Sequence, residues 1–113
     1  MNKVKKIIST LTLLGVLVLP ITVHATTWKV PSTGHSFTQA WEAQEGNSSF
    51  GFIYGYNTDW INEDYSHSIY NSYHYAAVSN DNGGYTSSRA AGGNWAKIEV
   101  RHAGTTVWYG MIY

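Results

Sequence analysis

The chain has 113 residues and no cysteine. Disulfides, thiolate metal sites and cysteine nucleophiles are therefore excluded. There is no Gly-x-Ser-x-Gly stretch, so acyl transfer on a nucleophile elbow has no support either. Charge is scarce and balanced, with 7 basic and 7 acidic residues. That balance argues against nucleic acid as a partner. It equally argues against the cationic amphipathic mode of membrane disruption. The longest apolar run, Ile7 to Leu19, falls short of the roughly 20 residues that span a bilayer.

That run is framed like an export signal. Lys3, Lys5 and Lys6 precede it, Pro20 breaks it, and Val23-His24-Ala25 offers tolerated residues for cleavage between Ala25 and Thr26. Residues 1–25 are read as a signal peptide and residues 26–113 as one secreted domain with no membrane span. Removing the three lysines leaves 4 basic against 7 acidic residues, a net charge of −3. A domain this small has a modest core. Without disulfides, aromatic burial must compensate. The 3 Phe, 9 Tyr and 5 Trp all follow residue 25, which suits β structure and large buried area per side chain.

The clearest local pattern lies between Tyr73 and Arg101. Asn80-Asp81-Asn82-Gly83-Gly84 is a hairpin turn by composition, because Asn, Asp and Gly tolerate positive φ. Ala91-Gly92-Gly93-Asn94 is a second turn of the same kind. After it the residues alternate: Trp95, Lys97, Glu99 and Arg101 on one face, Ala96, Ile98 and Val100 on the other. A period of two means a strand with the small and β-branched face inward. Lys97 and Glu99 are expected to pair weakly on the wet face.

Elsewhere the signals are shorter. Trp28–Val30 reads as a short edge strand before Pro31. Thr38–Glu45 fits a helical turn and a strand equally well. Ser49–Tyr56 reads as a strand with Phe50, Phe52, Tyr54 and Tyr56 on one face and Gly51, Ile53 and Gly55 on the other. That bare face allows another backbone to approach. Trp60–Asp64 reads as a loop or extended segment. Tyr65–Tyr75 alternates loosely, with Tyr65, His67 and Ile69 against Ser66, Ser68 and Tyr70. His102-Ala103-Gly104 reads as another hairpin turn. Thr105–Tyr113 closes the chain as a strand, with Val107, Tyr109 and Met111 sharing one face. Seven or so short strands without a long helix predict an all-β fold: a small antiparallel sandwich of two hairpin-connected sheets, or a small barrel.

Candidate chemistry is thin. His35, His67, His74 and His102 match no metal-ligand spacing and read as ordinary surface or half-buried residues. Glu63 and Asp64, with Glu42 or Asp59, would make a carboxylate pair only if they faced one cleft. Adjacent strand residues point to opposite faces, so the reading is a solvated acidic loop. No residue is assigned to catalysis, to a metal or to a cofactor. The aromatics are better candidates for binding, since so many cannot all fit inside a small core. The glycine-rich turns around Arg89 offer backbone N–H groups that an anion can use.

The second half of the chain resembles the lactococcin 972 family of secreted bacteriocins. The likeness is carried by His74 two residues before Ala76, Val78, the Asn80–Gly84 turn and Arg89. It continues through Ala91-Gly92, Trp95-Ala96-Lys97, Val100 and the terminal Trp108-Tyr109 with Tyr113. Trp28, soon after the cleavage point, is similar too. The resemblance covers residues 65–113, about half of the exported part. Residues 26–64 are aromatic-rich and diverge: the stretch between Trp28 and Tyr65 is longer than a minimal member has, and Gly92 and Trp95 are one residue further apart. The resemblance implies a sandwich of two small antiparallel sheets and a non-enzymatic toxin exported by a Gram-positive bacterium. It implies binding of a cell-envelope target such as lipid II, with blocked septum formation and no pores. It also implies dedicated immunity and ABC transporter proteins in the producer. The residues taken as target-binding are Tyr54, Tyr56, Tyr73, Tyr85, Arg89 and Trp95. N-terminal sequencing of protein recovered from culture medium is expected to read Thr-Thr-Trp from Thr26; a start within residues 1–20 would refute the cleavage point.

Overall fold

Alternation of side chains along the chain becomes eight strands in the computed structural model, which describes residues 26–113. They are β1 Thr27–Pro31, β2 Trp41–Gly46, β3 Phe50–Asn57, β4 Glu63–Tyr70, β5 Tyr75–Asn80, β6 Gly83–Thr86, β7 Trp95–Arg101 and β8 Trp108–Ile112. Sheet 1 has the order β1-β8-β5-β6 and sheet 2 the order β2-β3-β4-β7. All pairings are antiparallel. The two sheets form an open sandwich, not a closed barrel, and no helix occurs among the described residues. Trp28–Val30 lies on an edge strand, as its pattern predicts. The segment around Trp41 resolves as strand β2, in which Ala43 and Trp41 pair with Tyr54 and Tyr56. The expected cleavage residue Ala25 lies outside the described residues; Thr26 exchanges two backbone hydrogen bonds with Tyr113, at 2.6 and 2.9 Å.

The core is built from the aromatic face of β3 and the inner face of β8. Phe52, Tyr54, Tyr109 and Met111 are buried together with Val78 and Val107. Trp28 meets Phe50 at 5.3 Å and Phe52 at 5.0 Å between ring centroids, both edge-on. Trp41 stands perpendicular to Tyr54 at 6.0 Å and to Tyr109 at 5.6 Å. Edge-to-face pairs of this kind contribute about 0.5–1.5 kcal/mol each beyond the area they bury. In β7, Ala96 is buried and Ile98 and Val100 are half-buried, with Trp95, Lys97, Glu99 and Arg101 outside. That is the alternation the sequence predicts.

Two of the three glycine-rich turns behave differently from expectation. Asn80 and Gly83 pair across a tight β5–β6 hairpin, with Gly83 at φ 134°. Ala91–Asn94 and His102–Gly104 are not hairpin turns: β7 belongs to sheet 2, while β6 and β8 belong to sheet 1. Both turns carry the chain across the sandwich. β5 already has β8 and β6 as its two neighbours, so β7 pairs with β4 instead. The Lys97–Glu99 pairing is also replaced. Glu99 lies 3.4 Å from His67 of the neighbouring strand, without hydrogen-bond geometry.

β4 turns its polar side inward. Asp64, Ser66 and Ser68 are fully buried, while Tyr65, His67 and Ile69 face outward and are half-buried. Small side chains on β4 let β5 of the opposite sheet come close. The Ser66 hydroxyl donates to the Ala77 carbonyl of β5 at 2.8 Å. The Asp64 carboxylate accepts from His102 Nδ1 at 2.8 Å and from Asn80 Nδ2 at 2.9 Å. An ionised carboxylate only accepts, so Nδ1 carries the proton. Asn80 Nδ2 also lies 3.0 Å from the Arg101 carbonyl. One buried side chain thus joins the start of β4, the end of β5 and the exit of β7. The acidic segment expected to be a solvated loop is instead the start of a strand and half of a buried clasp. Removing one partner of such a group strands the others without water. Asp64→Ala is expected to lower the unfolding free energy by about 3–5 kcal/mol, against about 0.5 kcal/mol or less for exposed Gln44→Ala. Urea denaturation reads both; equal losses would refute the clasp.

Candidate functional site

Strand faces decide which of the sequence-selected residues can meet a ligand. Tyr54 and Tyr56 cannot: they are 7% and 2% exposed, because the aromatic face of β3 is turned toward sheet 1. Their selection as target-binding residues is corrected accordingly. Tyr73 is well exposed and carries the Arg89 guanidinium 4.2 Å above its ring. Tyr85 is exposed on edge strand β6, and its hydroxyl donates to the Asn82 carbonyl at 3.3 Å. Trp95 is exposed on the outer face of sheet 2, where its ring lies beside Gly51. The structure therefore brings Tyr73 and Arg89 into contact, and sets Tyr85 and Trp95 on opposite sheets. Three of the turn N–H groups considered for anions are engaged. Asn82 N–H donates to its neighbour Asn80, Gly93 N–H to the Tyr70 carbonyl, and Asn94 N–H to Ala91.

The histidines serve the scaffold. His74, expected at or near the surface, is fully buried. Its Nδ1 lies 2.9 Å from the Ser72 carbonyl and its Nε2 3.0 Å from that of Ser68. His102 is held by Asp64 and packed against Phe37 at 4.1 Å and Tyr56 at 5.0 Å. His35 stacks on Trp41 at 3.8 Å. Among the described residues, no three His, Asp or Glu side chains are grouped to hold a metal ion. Glu63 and Asp64 point to opposite faces of β4, as adjacent strand residues must. No described helix is long and apolar enough to cross a membrane.

The two outer faces differ sharply. On sheet 2, cross-strand rows place Glu42, Gly55, Tyr65 and Glu99 side by side. Gly55 has no room for a Cβ, because the Trp41 carbonyl and the Tyr65 hydroxyl close over it. Tyr65 thus lies across the glycine toward Glu42, the sheet-on-glycine cover known from designed sheets. Burial, then the charge of Glu42 and the hydrogen bond to it, then Glu99 and Asp59, push the Tyr65 phenol up to about 12. Tyr54 is raised by burial and by Glu45, whose carboxylate accepts from its hydroxyl at 3.3 Å. Tyr109 is raised further, by burial and then by the Asp64 charge, and among the described residues its hydroxyl has no hydrogen-bond partner.

The outer face of sheet 1 carries a concavity of about 230 Å³. Its floor is Gly110 and Ala77, directly paired across β8 and β5. A Cβ on Gly110 would come within 2.7 Å of the Trp28 carbonyl, so that position stays bare. Trp108, 39% exposed, forms a wall, with the Lys29 ammonium 4.9 Å from its ring centroid. Thr27, Ser79 and Thr86 add hydroxyl-bearing residues around the rim. The sequence puts Trp108 and Gly110 on one strand face but gives no sign that Ala77 and Thr86 would stand beside them. Neither protein-family models nor curated proteins nor solved structures match the chain.

Tyr65 generates an alkaline limit. Unfolded, its phenol ionises at the ordinary 10.0; folded, it holds its proton to about 12. Its contribution to stability is complete below the lower value and is lost as pH rises to the upper one. Urea midpoints of the parent protein are expected to fall between those two values, and Tyr65→Phe is expected to flatten that slope. Identical slopes would contradict the assignment.

Proposed function

We propose that this chain is exported and acts without catalysis, inhibiting related Gram-positive bacteria by binding a cell-envelope target. Lipid II, with arrest of septum formation, is the target that the lactococcin 972 resemblance implies. One coincidence carries the reading: the residue series that prompted the resemblance implies a sandwich of two small antiparallel sheets, and two four-stranded antiparallel sheets are present. Part of the series is scaffold. His74, Ala76, Val78, Ala96 and Tyr109 are buried. Exposed aromatics remain for a target: Tyr73 with Arg89, Tyr85, Trp95 and Trp108, besides Trp60 and Tyr113. Flat aromatic surfaces of this kind suit recognition of a ring-bearing ligand.

A second reading is favoured by the concavity on sheet 1: a wall- or carbohydrate-binding module without toxicity. An indole wall over a glycine floor needs no killing activity to be useful. The purified secreted protein separates the two. Under the leading reading it inhibits at least one related Gram-positive strain, with misplaced or missing septa and an unchanged membrane potential over the first minutes. Rapid depolarisation would overturn that reading. Retention on peptidoglycan with no inhibition of any relative would replace it with the second.

A further inference from the structure

Among the described residues, Lys29 is the only charged one lining the concavity of sheet 1. Among the described residues no carboxylate lies within ion-pair distance of it. The register makes this segregation general. The outward positions of sheet 1 are Thr27, Lys29 and Pro31 on β1, Trp108, Gly110 and Ile112 on β8, Tyr75, Ala77 and Ser79 on β5, and Gly84 and Thr86 on β6. None is acidic. The acidic side chains Glu42, Glu63 and Glu99 lie on the outer face of sheet 2 instead. Lys29 therefore faces solvent with only the Trp108 ring for company, a weak contact at an exposed site that an anion readily displaces.

We propose that this concavity binds an anionic sugar, one pyranose ring bearing a carboxylate or a phosphate. The ring's apolar face lies on the Gly110–Ala77 floor against Trp108. The anionic group takes Lys29, and the ring hydroxyls meet the hydroxyls of Ser79 and Thr86. Three observations select that class. The volume, about 230 Å³, falls below the ~300–1,000 Å³ of sites for larger molecules, so the concavity is sized for one ring. The rim is hydroxyl-bearing and otherwise uncharged, which suits a polyol; a planar aromatic acid would leave those hydroxyls unused. The lone cation supplies the preference for an anion.

The site deepens the envelope-target reading and rests on it for where such a sugar is met. Binding is measured in solution without cells, so its failure leaves the growth-inhibition test of that reading intact. The secreted protein is titrated with N-acetylmuramic acid, with N-acetylglucosamine as its neutral twin lacking the lactyl carboxylate, and with glucose 1-phosphate, following backbone amide shifts. The expected result is saturable binding of at least one anionic sugar, with shifts at Ala77, Thr86, Trp108 and Gly110. N-acetylglucosamine should bind about tenfold more weakly, the value of one charge-assisted hydrogen bond. Preference for N-acetylmuramic acid assigns the carboxylate source, and preference for glucose 1-phosphate the phosphate source. Lys29→Met, at an exposed position, should erase the preference for anions while leaving the far-ultraviolet spectrum unchanged. Trp108→Ala should weaken every sugar that binds. Equal binding of the neutral and anionic sugars, an undiminished preference in Lys29→Met, or shifts confined to another face would overturn the proposal.

Discussion

The structure depends first on where the last strand goes. β8 sits inside sheet 1 between β1 and β5, and its inner face meets the aromatic face of β3. Tyr109 and Met111 are buried against Phe52 and Tyr54, so the C-terminus of the chain is also the middle of its core. Thr26 and Tyr113 are zipped together by backbone hydrogen bonds. In a cysteine-free domain this small, that arrangement does work often done by disulfides. It ties both ends of the described chain into one sheet and stacks large rings across the gap.

The sandwich is held differently along its two sides. Toward β1, β2 and β3 the contact is aromatic, with Trp28 and Trp41 edge-on to rings of the core. Toward β4, β5 and β7 it is polar and close. Serine, alanine and the Asp64–His102–Asn80 clasp bring backbone near backbone. Packing on the first side is forgiving of small changes in shape. The second side tolerates little, because the buried Asp64 and Ser66 there each have a specific partner. The outer faces inherit the same division: a charged face with Tyr65 over Gly55 on sheet 2, and a shallow, nearly uncharged face with Trp108, Gly110 and Lys29 on sheet 1.

Much of the strand content was legible because alternation is a local signal. The inward faces of β3, β7 and β8 follow directly from period two, as does the Asn80–Gly83 hairpin from its composition. β4 was not legible. The loose alternation of Tyr65, His67 and Ile69 against Ser66, Ser68 and Tyr70 does not say which side is inward, and contact with β5 buries the polar one. The turns at Ala91–Asn94 and His102–Gly104 encode a change of direction but not which sheet receives the next strand. Tyr54 and Tyr56 fit core packing better than a binding ladder on pattern alone, and sheet 1 laid over them buries both. The concavity was invisible for the same reason: its floor joins residues from two strands, and its rim from four.

We propose that the aromatic sandwich acts by binding, through the outer face of sheet 1. Growth inhibition by the folded parent protein and by folded Trp108→Ala, compared on one susceptible Gram-positive relative, tests this most directly. The account requires that the parent inhibits and that the variant, with an unchanged urea midpoint, loses most of that inhibition. Full activity in Trp108→Ala would contradict it.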